Sequence, residues 1–240
     1  MTDKEICKQC RGLPCRKAQH HGLKEKIQRE YGRAYLTYEE CEYVKGADLI
    51  KRSRESGIPG RYANKEVSDY QETPANRDAL AISRWYVAEK PARWLYLTGG
   101  CGTGKTFLAS LIGKEYLRGW QEVIFTDFPS LLEELKDSFD DKAVTASEIL
   151  RKYQTCDLLI LDDVGTGYFR DWGVSVLHQL IDARYNEERR TIITSNYDLG
   201  SLTERLSKQE YYAARRIISR LQEMSEVVYM GEDDWRNGAE

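Results

Sequence analysis

Residues 99–106 are the most chemically specific stretch of this 240-residue chain. Gly99, Gly104, Lys105 and Thr106 match the spacing G-x-x-x-x-G-K-[ST] without a gap. Glycine lets the backbone curl so that successive N–H groups face a phosphate chain, while the lysine can reach the terminal phosphates and the threonine can bind Mg²⁺. We therefore predict a phosphate-binding loop, with a nucleotide held by Gly99, Gly100, Cys101, Gly102, Thr103, Gly104, Lys105, Thr106 and Phe107.

Two adjacent carboxylates follow a second apolar run. Leu158–Leu161 are four consecutive apolar residues, and Asp162 and Asp163 come directly after them. Such a run is typical of a buried parallel strand, whose carboxyl end faces the nucleotide in phosphate-loop ATPases. Asp162 is predicted to hold Mg²⁺ with Thr106, and Asp163 to orient or deprotonate the attacking water. The plainer interpretation is a strand that merely ends in a turn.

Further polar groups that suit this chemistry occur later in the chain. Asn196 follows the apolar stretch 191–195, where its amide could reach the γ-phosphate or its water, although a turn residue would look the same. Arg216 and Arg220 are one helical turn apart on one face. Such arginines are either solvated surface or groups that enter a neighbouring subunit's nucleotide site and stabilise phosphate charge.

Four of the six cysteines lie in a front segment too short and polar to bury its own core. A tetrahedral thiolate site would supply the missing folding energy, and Zn²⁺ is favoured. The predicted ligands are Cys7, Cys10, Cys15 and Cys41. His20 or His21 replacing one cysteine is the next choice. An iron–sulfur cluster would accept the same four thiolates, and reduced cysteines in a disordered tail would show the same spacing.

Alternating strands and helices are predicted to carry these groups, which indicates an α/β fold with a mostly parallel sheet and helices on both faces. In the front segment the spacing of Leu23, Ile27 and Tyr31 predicts a helix, followed by a short strand. The predicted elements there and beyond are strand 35–38, helix 75–88, strand 93–98, helix 105–118, strand 122–126, a helix opened by Pro129, strands over 157–161 and 191–195, and a last strand over 226–230.

Composition separates a basic front from an acidic body. The chain carries a formal net charge of −3, but residues 1–61 hold 14 Lys and Arg against 9 Asp and Glu. We predict three parts: a cysteine-rich module over 1–50, a basic linker over 51–61 and the main domain over 62–240. The front has no apolar signal segment and no run is long enough to span a membrane, so the cytoplasm is the expected location, with no membrane partner.

The order of the motifs is similar to that in the AAA+ ATPases of the DnaC/DnaI group of bacterial helicase loaders. The phosphate loop and the runs LLILDDVG, TIITSNYD and ARRIISRL carry this resemblance, which covers about residues 61–236. It implies a five-stranded AAA+ domain, with Asn196 as sensor 1, Arg220 as an arginine finger and Arg236 as sensor 2. AAA+ proteins commonly carry a helical lid, but few residues follow the last predicted strand, so we expect no large lid here. Many AAA+ proteins carry Glu where this chain has Asp163. Slow ATP turnover, or use of ATP as a switch, is therefore an additional hypothesis.

The resemblance implies that ATP and Mg²⁺ are cofactors and that subunits associate through shared ATP sites. Its expected partners are single-stranded DNA and a DnaB-type hexameric helicase gripped by the cysteine module. The DNA-facing insertion would span about residues 129–153 and include Phe139. Phe139 and, outside the insertion, Trp172 are candidates for stacking on bases, and either could equally be ordinary core. Two rival functions fit the same body: an IstB-like transposition helper that binds double-stranded DNA, and an adaptor that binds nucleotide without hydrolysing it.

Overall fold

The computed structural model describes most of the chain beyond its first 22 residues. The described ranges are 23–30, 33–40, 42–74, 76–89, 91–119, 121–139, 145–166 and 171–235. Two units are distinguished by their internal contacts, Met1–Arg52 and Ser53–Glu240.

The smaller unit contains a two-stranded antiparallel sheet followed by a helix. Strand β1 (Leu23–Glu30) pairs with β2 (Arg33–Glu40) over eight residue pairs, and α1 (Glu42–Glu55) comes next. The strand prediction for residues 35–38 is confirmed, but the helix predicted from Leu23 was wrong. A spacing of four residues, as between Leu23 and Ile27, fits a period of 3.6 and also a period of two. The pairing with β2, which begins ten residues after the start of β1, selects the strand over the helix.

The larger unit is built on a five-stranded sheet in which every pair of neighbouring strands is parallel. The strands are β3 (Trp94–Thr98), β4 (Val123–Asp127), β5 (Leu158–Asp162), β6 (Arg190–Ser195) and β7 (Ser225–Tyr229). Their order in the sheet is β4-β5-β6-β3-β7, so the phosphate loop leaves the sheet between β6 and β7. The predicted parallel five-stranded sheet is thereby confirmed.

Helices connect these strands and cover the sheet. They are α2 (Gly60–Ala63), a 3-10 turn (Val67–Asp69), α3 (Arg77–Glu89), α4 (Lys105–Arg118), α5 (Phe128–Asp137), α6 (Ala146–Thr155), α7 (Asp171–Asn186), α8 (Leu199–Ser207) and α9 (Tyr211–Met224). Side-chain caps set several starts: Asp127 accepts from the Ser130 N–H at the start of α5, and Asp198 accepts from the Ser201 N–H at the start of α8. In the described ranges, no helix is both long and apolar enough to cross a membrane.

The centre of the sheet is buried on both faces. Leu158–Leu161 of β5 and Trp94–Leu97 of β3 have no measurable exposure, which is why these strands read as continuous apolar runs. Arg184 of α7 is also fully buried, and it donates to the carbonyls of Tyr153 and Cys156 and to the Thr191 hydroxyl of β6. This guanidinium ties α6, α7 and β6 together at the amino ends of β5 and β6, opposite the carboxyl ends that carry the site.

The segment predicted as a linker over 51–61 joins the body earlier than expected. Ile58 is buried and the carbonyl of Ser56 accepts a hydrogen bond from the Phe125 N–H of β4 at 2.7 Å. By internal contacts the larger unit begins at Ser53 and includes residues 53–61, while the division into a module, a linker and a main domain stays a prediction. The basic composition of this stretch concealed the few apolar side chains that pack.

Candidate nucleotide-binding site

The phosphate loop connects the end of β3 to the start of α4, as predicted. Gly104 caps α4 with a left-handed backbone (φ 91°), which a residue with a side chain adopts only with strain. Gly102 is also left-handed (φ 80°), and a Cβ there would lie 1.9 Å from the Asp234 Oδ1. The N-terminus of α4 thus opens toward the loop and places its partial positive charge there.

Lys105, the first residue of α4, is folded over the loop. Its Nζ donates to the carbonyl oxygens of Gly99 at 2.8 Å and Gly100 at 2.6 Å, and the side chain is buried. Burial lowers the pKa of Lys105, an effect that nearby Cys101, Asp163 and Asp162 oppose. Carbonyl oxygens are weaker partners for an ammonium than phosphate oxygens, so this arrangement leaves the lysine able to exchange them for a phosphate.

Thr106 and Asp162 meet at the carboxyl end of the sheet. The Thr106 hydroxyl lies 3.1 Å from each carboxylate oxygen of Asp162. Desolvation raises the pKa of Asp162, whereas hydrogen bonds from Thr194 and Thr106 lower it. A hydroxyl beside one carboxylate is the protein's usual share of a Mg²⁺ site whose other ligands are phosphates and water. The two residues predicted to hold Mg²⁺ are therefore brought together.

Asp163 and Asn196 are brought together at the tips of β5 and β6. The Asn196 Nδ2 donates to the Asp163 Oδ1 at 3.3 Å, and the Thr166 hydroxyl donates to the other oxygen at 3.0 Å. Asp163 has a positive φ of 58°, which is uncommon for a residue with a side chain. Its N–H donates to the Thr194 hydroxyl at 2.9 Å.

These groups line one cleft of about 290 Å³. Its lining consists of Arg61, Tyr62, Cys101, Gly102, Thr103, Gly104, Lys105, Thr106, Phe107, Asp162, Asp163, Thr194 and Asn196. The sequence motifs did not mark three of these residues, Arg61, Tyr62 and Thr194. The Tyr62 and Phe107 rings stack with centroids 5.0 Å apart, and the Arg61 guanidinium lies 4.6 Å from the Tyr62 centroid. For Arg61 and Tyr62, the signal that could have found them was an arginine directly followed by a tyrosine.

The segment after β7 runs along the phosphate loop. The Gly100 N–H donates to the Gly231 carbonyl at 2.9 Å, and the Trp235 N–H donates to the Gly102 carbonyl at 3.3 Å. Glu232 and Asp234 lie against Gly100 and Gly102. We call residues 230–235 the C-terminal strap. Arg236, the predicted sensor 2, lies outside the described residues.

Arg220 lies on another surface. It forms an ion pair with Asp182 of α7, and its guanidinium lies 5.2 Å from the Tyr185 ring centroid. Within the described part of the chain it is not among the residues that line the cleft. Its role as an arginine finger toward a neighbouring subunit stays a prediction.

The predicted zinc ligands, Cys7, Cys10, Cys15 and Cys41, also lie outside the described residues. Across the ranges the structure describes, no cluster of three or more His, Cys, Asp or Glu side chains could hold a metal ion. Both remaining cysteines are free thiols, Cys101 exposed in the phosphate loop and Cys156 buried.

The two candidate stacking aromatics differ in exposure. Phe139 is 68% exposed after α5, whereas Trp172 is partly buried against the core. Their ring centroids are 6.4 Å apart, and the Lys136 Nζ lies 5.7 Å from the Trp172 ring.

Comparison with known proteins identifies the family. The model for "IstB-like ATP binding protein" matches residues 67–239. The chain belongs to this family. The match covers every described element from the 3-10 turn before α3 to the C-terminal strap, and thus the whole nucleotide cleft except Arg61 and Tyr62.

Replicative helicase loaders are among its relatives. The Escherichia coli K12 loader DnaC is 26% identical over 158 residues, which are 64% of each protein. The Bacillus subtilis loader DnaI is 30% identical over 196 residues, which are 75% of this chain and 62% of that protein. The chain therefore aligns with less than two thirds of the length of these relatives.

Solved structures agree with the resemblance. The crystal structure of the DnaC helicase loader matches with a TM-score of 0.62 and 27% identity, over 71% of this chain and 99% of that one. The crystal structure of DnaI matches with a TM-score of 0.61 and 27% identity, over 72% and 94%. DnaA bound to AMPPCP and single-stranded DNA shares the fold at 19% identity, with a TM-score of 0.60 over 73% and 51%. The predicted AAA+ fold and the resemblance to DnaC-type loaders are confirmed.

Proposed function

We propose that the chain binds ATP and Mg²⁺ in this cleft and hydrolyses ATP. The observation that carries the proposal is the convergence of Lys105, Thr106 and Asp162 at the end of a curled, glycine-rich loop. Thr106 and Asp162 would hold Mg²⁺, whose charge helps to neutralise the phosphates when it is bound. Lys105 would leave the carbonyls of Gly99 and Gly100 and donate to the terminal phosphates.

Asp163 and Asn196 would handle the attacking water. In hydrolysis the water oxygen bonds to the γ-phosphorus, the bond from phosphorus to the bridging oxygen of ADP breaks, and Asp163 accepts the proton. The Asn196 amide already contacts the Asp163 carboxylate, so both can share one water. The Asp163 side chain is one methylene shorter than glutamate, which favours slow turnover that depends on DNA or a partner.

Tyr62, Phe107 and Arg61 would contact the nucleobase. They line the same cleft as Asp162, and a flat ring system can stack on the two aromatic faces. The test of the site is binding of a fluorescent ADP analogue to the full chain, with competition by ATP and GTP. Failure of ATP to compete at millimolar concentration would overturn this part of the proposal.

The larger function that we propose is helicase loading. It is supported by the relatives DnaC and DnaI, both named replicative helicase loaders, which align with 64% and 75% of this chain. In this proposal, residues 1–50 bind Zn²⁺ through Cys7, Cys10, Cys15 and Cys41 and grip a DnaB-type hexameric helicase. The surface of α5 and α6, including Phe139, binds single-stranded DNA. Subunits share ATP sites, with Lys105 and Asp162 in one and Arg220 from the next.

The experiment is helicase loading onto closed circular single-stranded DNA by the full chain with ATP. We expect the DnaB-type helicase of the host to be recovered on the circle only with the wild-type chain, and not with Lys105→Ala. Cys7→Ser reports on the zinc module in the same assay: loss of bound zinc together with loss of helicase binding supports its proposed role. Helicase binding that survives full loss of zinc would overturn that role alone.

A second candidate is a transposition helper, and the family description "IstB-like" is the observation that favours it. Such a protein would coat double-stranded DNA and recruit a transposase. Binding to a labelled duplex and to a single strand of the same length separates the two functions. If the chain forms ATP-dependent filaments on the duplex and does not bind the helicase, the result would favour the transposition helper and overturn the helicase loader.

A further inference from the structure

Thr194 of β6 connects both acids of the site through one hydroxyl group. Its side chain is buried, and its Oγ1 accepts a hydrogen bond from the Asp163 N–H at 2.9 Å. The same Oγ1 donates to the Asp162 Oδ1 at 2.5 Å. The Thr194 carbonyl accepts from the Val164 N–H at 2.9 Å. One residue of β6 thus contacts three successive residues of the β5 tip.

Asp163 has a left-handed backbone, which is strained for a residue with a side chain. Its partly buried N–H donates to the Thr194 hydroxyl, and without that acceptor the N–H would lose its hydrogen bond, which costs free energy. The Asp163 carboxylate accepts hydrogen bonds from Asn196 and Thr166.

Asp162 requires an orienting donor because it is buried and must present its other oxygen. The Thr106 hydroxyl lies 3.1 Å from both of its oxygens, and Thr194 adds a shorter bond to Oδ1. Among the hydrogen bonds of the described residues, Oδ2 has no second donor, so Thr194 fixes the carboxylate through Oδ1 and leaves Oδ2 for a cation. Donors behind a metal-binding carboxylate commonly set its orientation in this way.

We propose that Thr194 is a positioning residue that sets the Mg²⁺ ligand Asp162 and the water-handling acid Asp163 at the same time. The inference rests on the proposed ATP and Mg²⁺ site and adds a residue for which the sequence motifs predicted no role. Thr194 lines the cleft, but it acts through the two carboxylates. A purely structural role, filling space in a buried strand, would be retained by valine, which has the same shape.

The test compares Thr194→Val with Thr194→Ser and Thr191→Val in the full chain. Thr191 is a matched control because it lies on the same strand, is fully buried and uses its hydroxyl to accept a hydrogen bond from Arg184. The first readout is the affinity for a fluorescent ADP analogue across a Mg²⁺ titration and in EDTA. Thermal unfolding and the kcat and KM for ATP are measured on the same samples.

We expect Thr194→Val to raise the Mg²⁺ concentration for half-maximal tightening of binding by about tenfold, and to lower kcat by a similar factor. Affinity in EDTA should change less than about twofold, because the phosphate loop is intact. Thr194→Ser should restore both values, and Thr191→Val should lower only the melting temperature. If Thr194→Val does not fold, Thr194→Ala compared with Thr194→Ser isolates the same hydroxyl.

Two different failures are distinguishable. If the wild-type chain shows no Mg²⁺-dependent nucleotide binding, the proposed function fails. If the wild type responds to Mg²⁺ and the variants that lack the hydroxyl respond in the same way, the role of Thr194 alone is overturned. Equal loss of affinity with and without Mg²⁺ would also overturn it, because that pattern indicates a general distortion of the cleft.

Discussion

The nucleotide cleft with Lys105 and the α9 surface with Arg220 differ in what their charged side chains contact. In the cleft, candidate residues contact one another: Thr106 donates a hydrogen bond to Asp162, and Asn196 donates one to Asp163. On α9, the guanidinium of Arg220 contacts Asp182 and Tyr185, which belong to α7 and do not line the cleft. A ligand site with its parts already assembled can act within one chain. A cation held away from that site can serve phosphate chemistry only in another copy.

The largest effect is expected from a substitution in the nucleotide cleft. Lys105→Ala removes the cation that is folded over Gly99 and Gly100, and we expect at least a roughly hundredfold loss of ATP hydrolysis with weakened ATP binding. The fluorescent ADP analogue and a steady-state phosphate assay measure both. Lys208→Ala, at an exposed lysine after α8, is the control and should match the wild type. Hydrolysis within threefold of wild type in Lys105→Ala would contradict the assignment of the loop.

The second region is tested by Arg220→Ala. We expect DNA-stimulated hydrolysis to fall at least roughly a hundredfold while ATP binding persists, because an arginine finger acts on the transferring phosphate rather than on binding. Arg215→Ala, on the same helix but pairing with Tyr211, is the control.

Mixing the two inactive variants makes this test sharper. Sites that combine an intact Lys105 from one chain with an intact Arg220 from another would recover part of the activity. No recovery on mixing, or unchanged stimulation in Arg220→Ala alone, would indicate that sites are not shared.

A smaller effect is expected from Asp182→Asn, which removes the anion that holds Arg220 within its own chain. Exposed and half-buried ion pairs contribute up to about 1 kcal/mol, so the protein should remain folded. We expect the chain concentration for half-maximal hydrolysis to fall by about two- to fivefold, because the guanidinium is freed for a neighbour. An unchanged concentration dependence would mean that the ion pair with Asp182 does not restrain Arg220.

The smallest effect concerns the C-terminal strap. The Asp234 carboxylate lies against Gly102, so its charge repels a phosphate chain in the loop. Asp234→Asn should strengthen ATP binding by up to about fivefold at low salt, since two charges 4 Å apart in water interact by about 1 kcal/mol. Added salt should remove the difference. Asp233→Asn, the same change one residue earlier, is the control. An equal gain from both variants would point to net charge rather than to this contact.

Much of the fold followed from local patterns. The apolar runs before Gly99 and Asp162 are buried strands, and α4 begins at Lys105 and ends at Arg118 as its periodicity indicated. Parallel strands buried on both faces must be apolar along their whole length, so a single sequence reveals them. The prediction for the front segment was wrong at Leu23, because the spacing of Leu23 and Ile27 suits a helix and a strand equally.

The sequence by itself determined which groups the proposed chemistry can use: a glycine loop with Lys105 and Thr106, paired acids after a strand, and an asparagine after another. These are local motifs, and their spacing alone predicts phosphate and Mg²⁺ binding. Only the tertiary structure decided that Thr194 bridges both acids, that Arg61 and Tyr62 reach the cleft, and that Asp182 holds Arg220. Each of these contacts joins residues that are distant in the chain, and sheet order and strand register, which no local pattern encodes, bring them together.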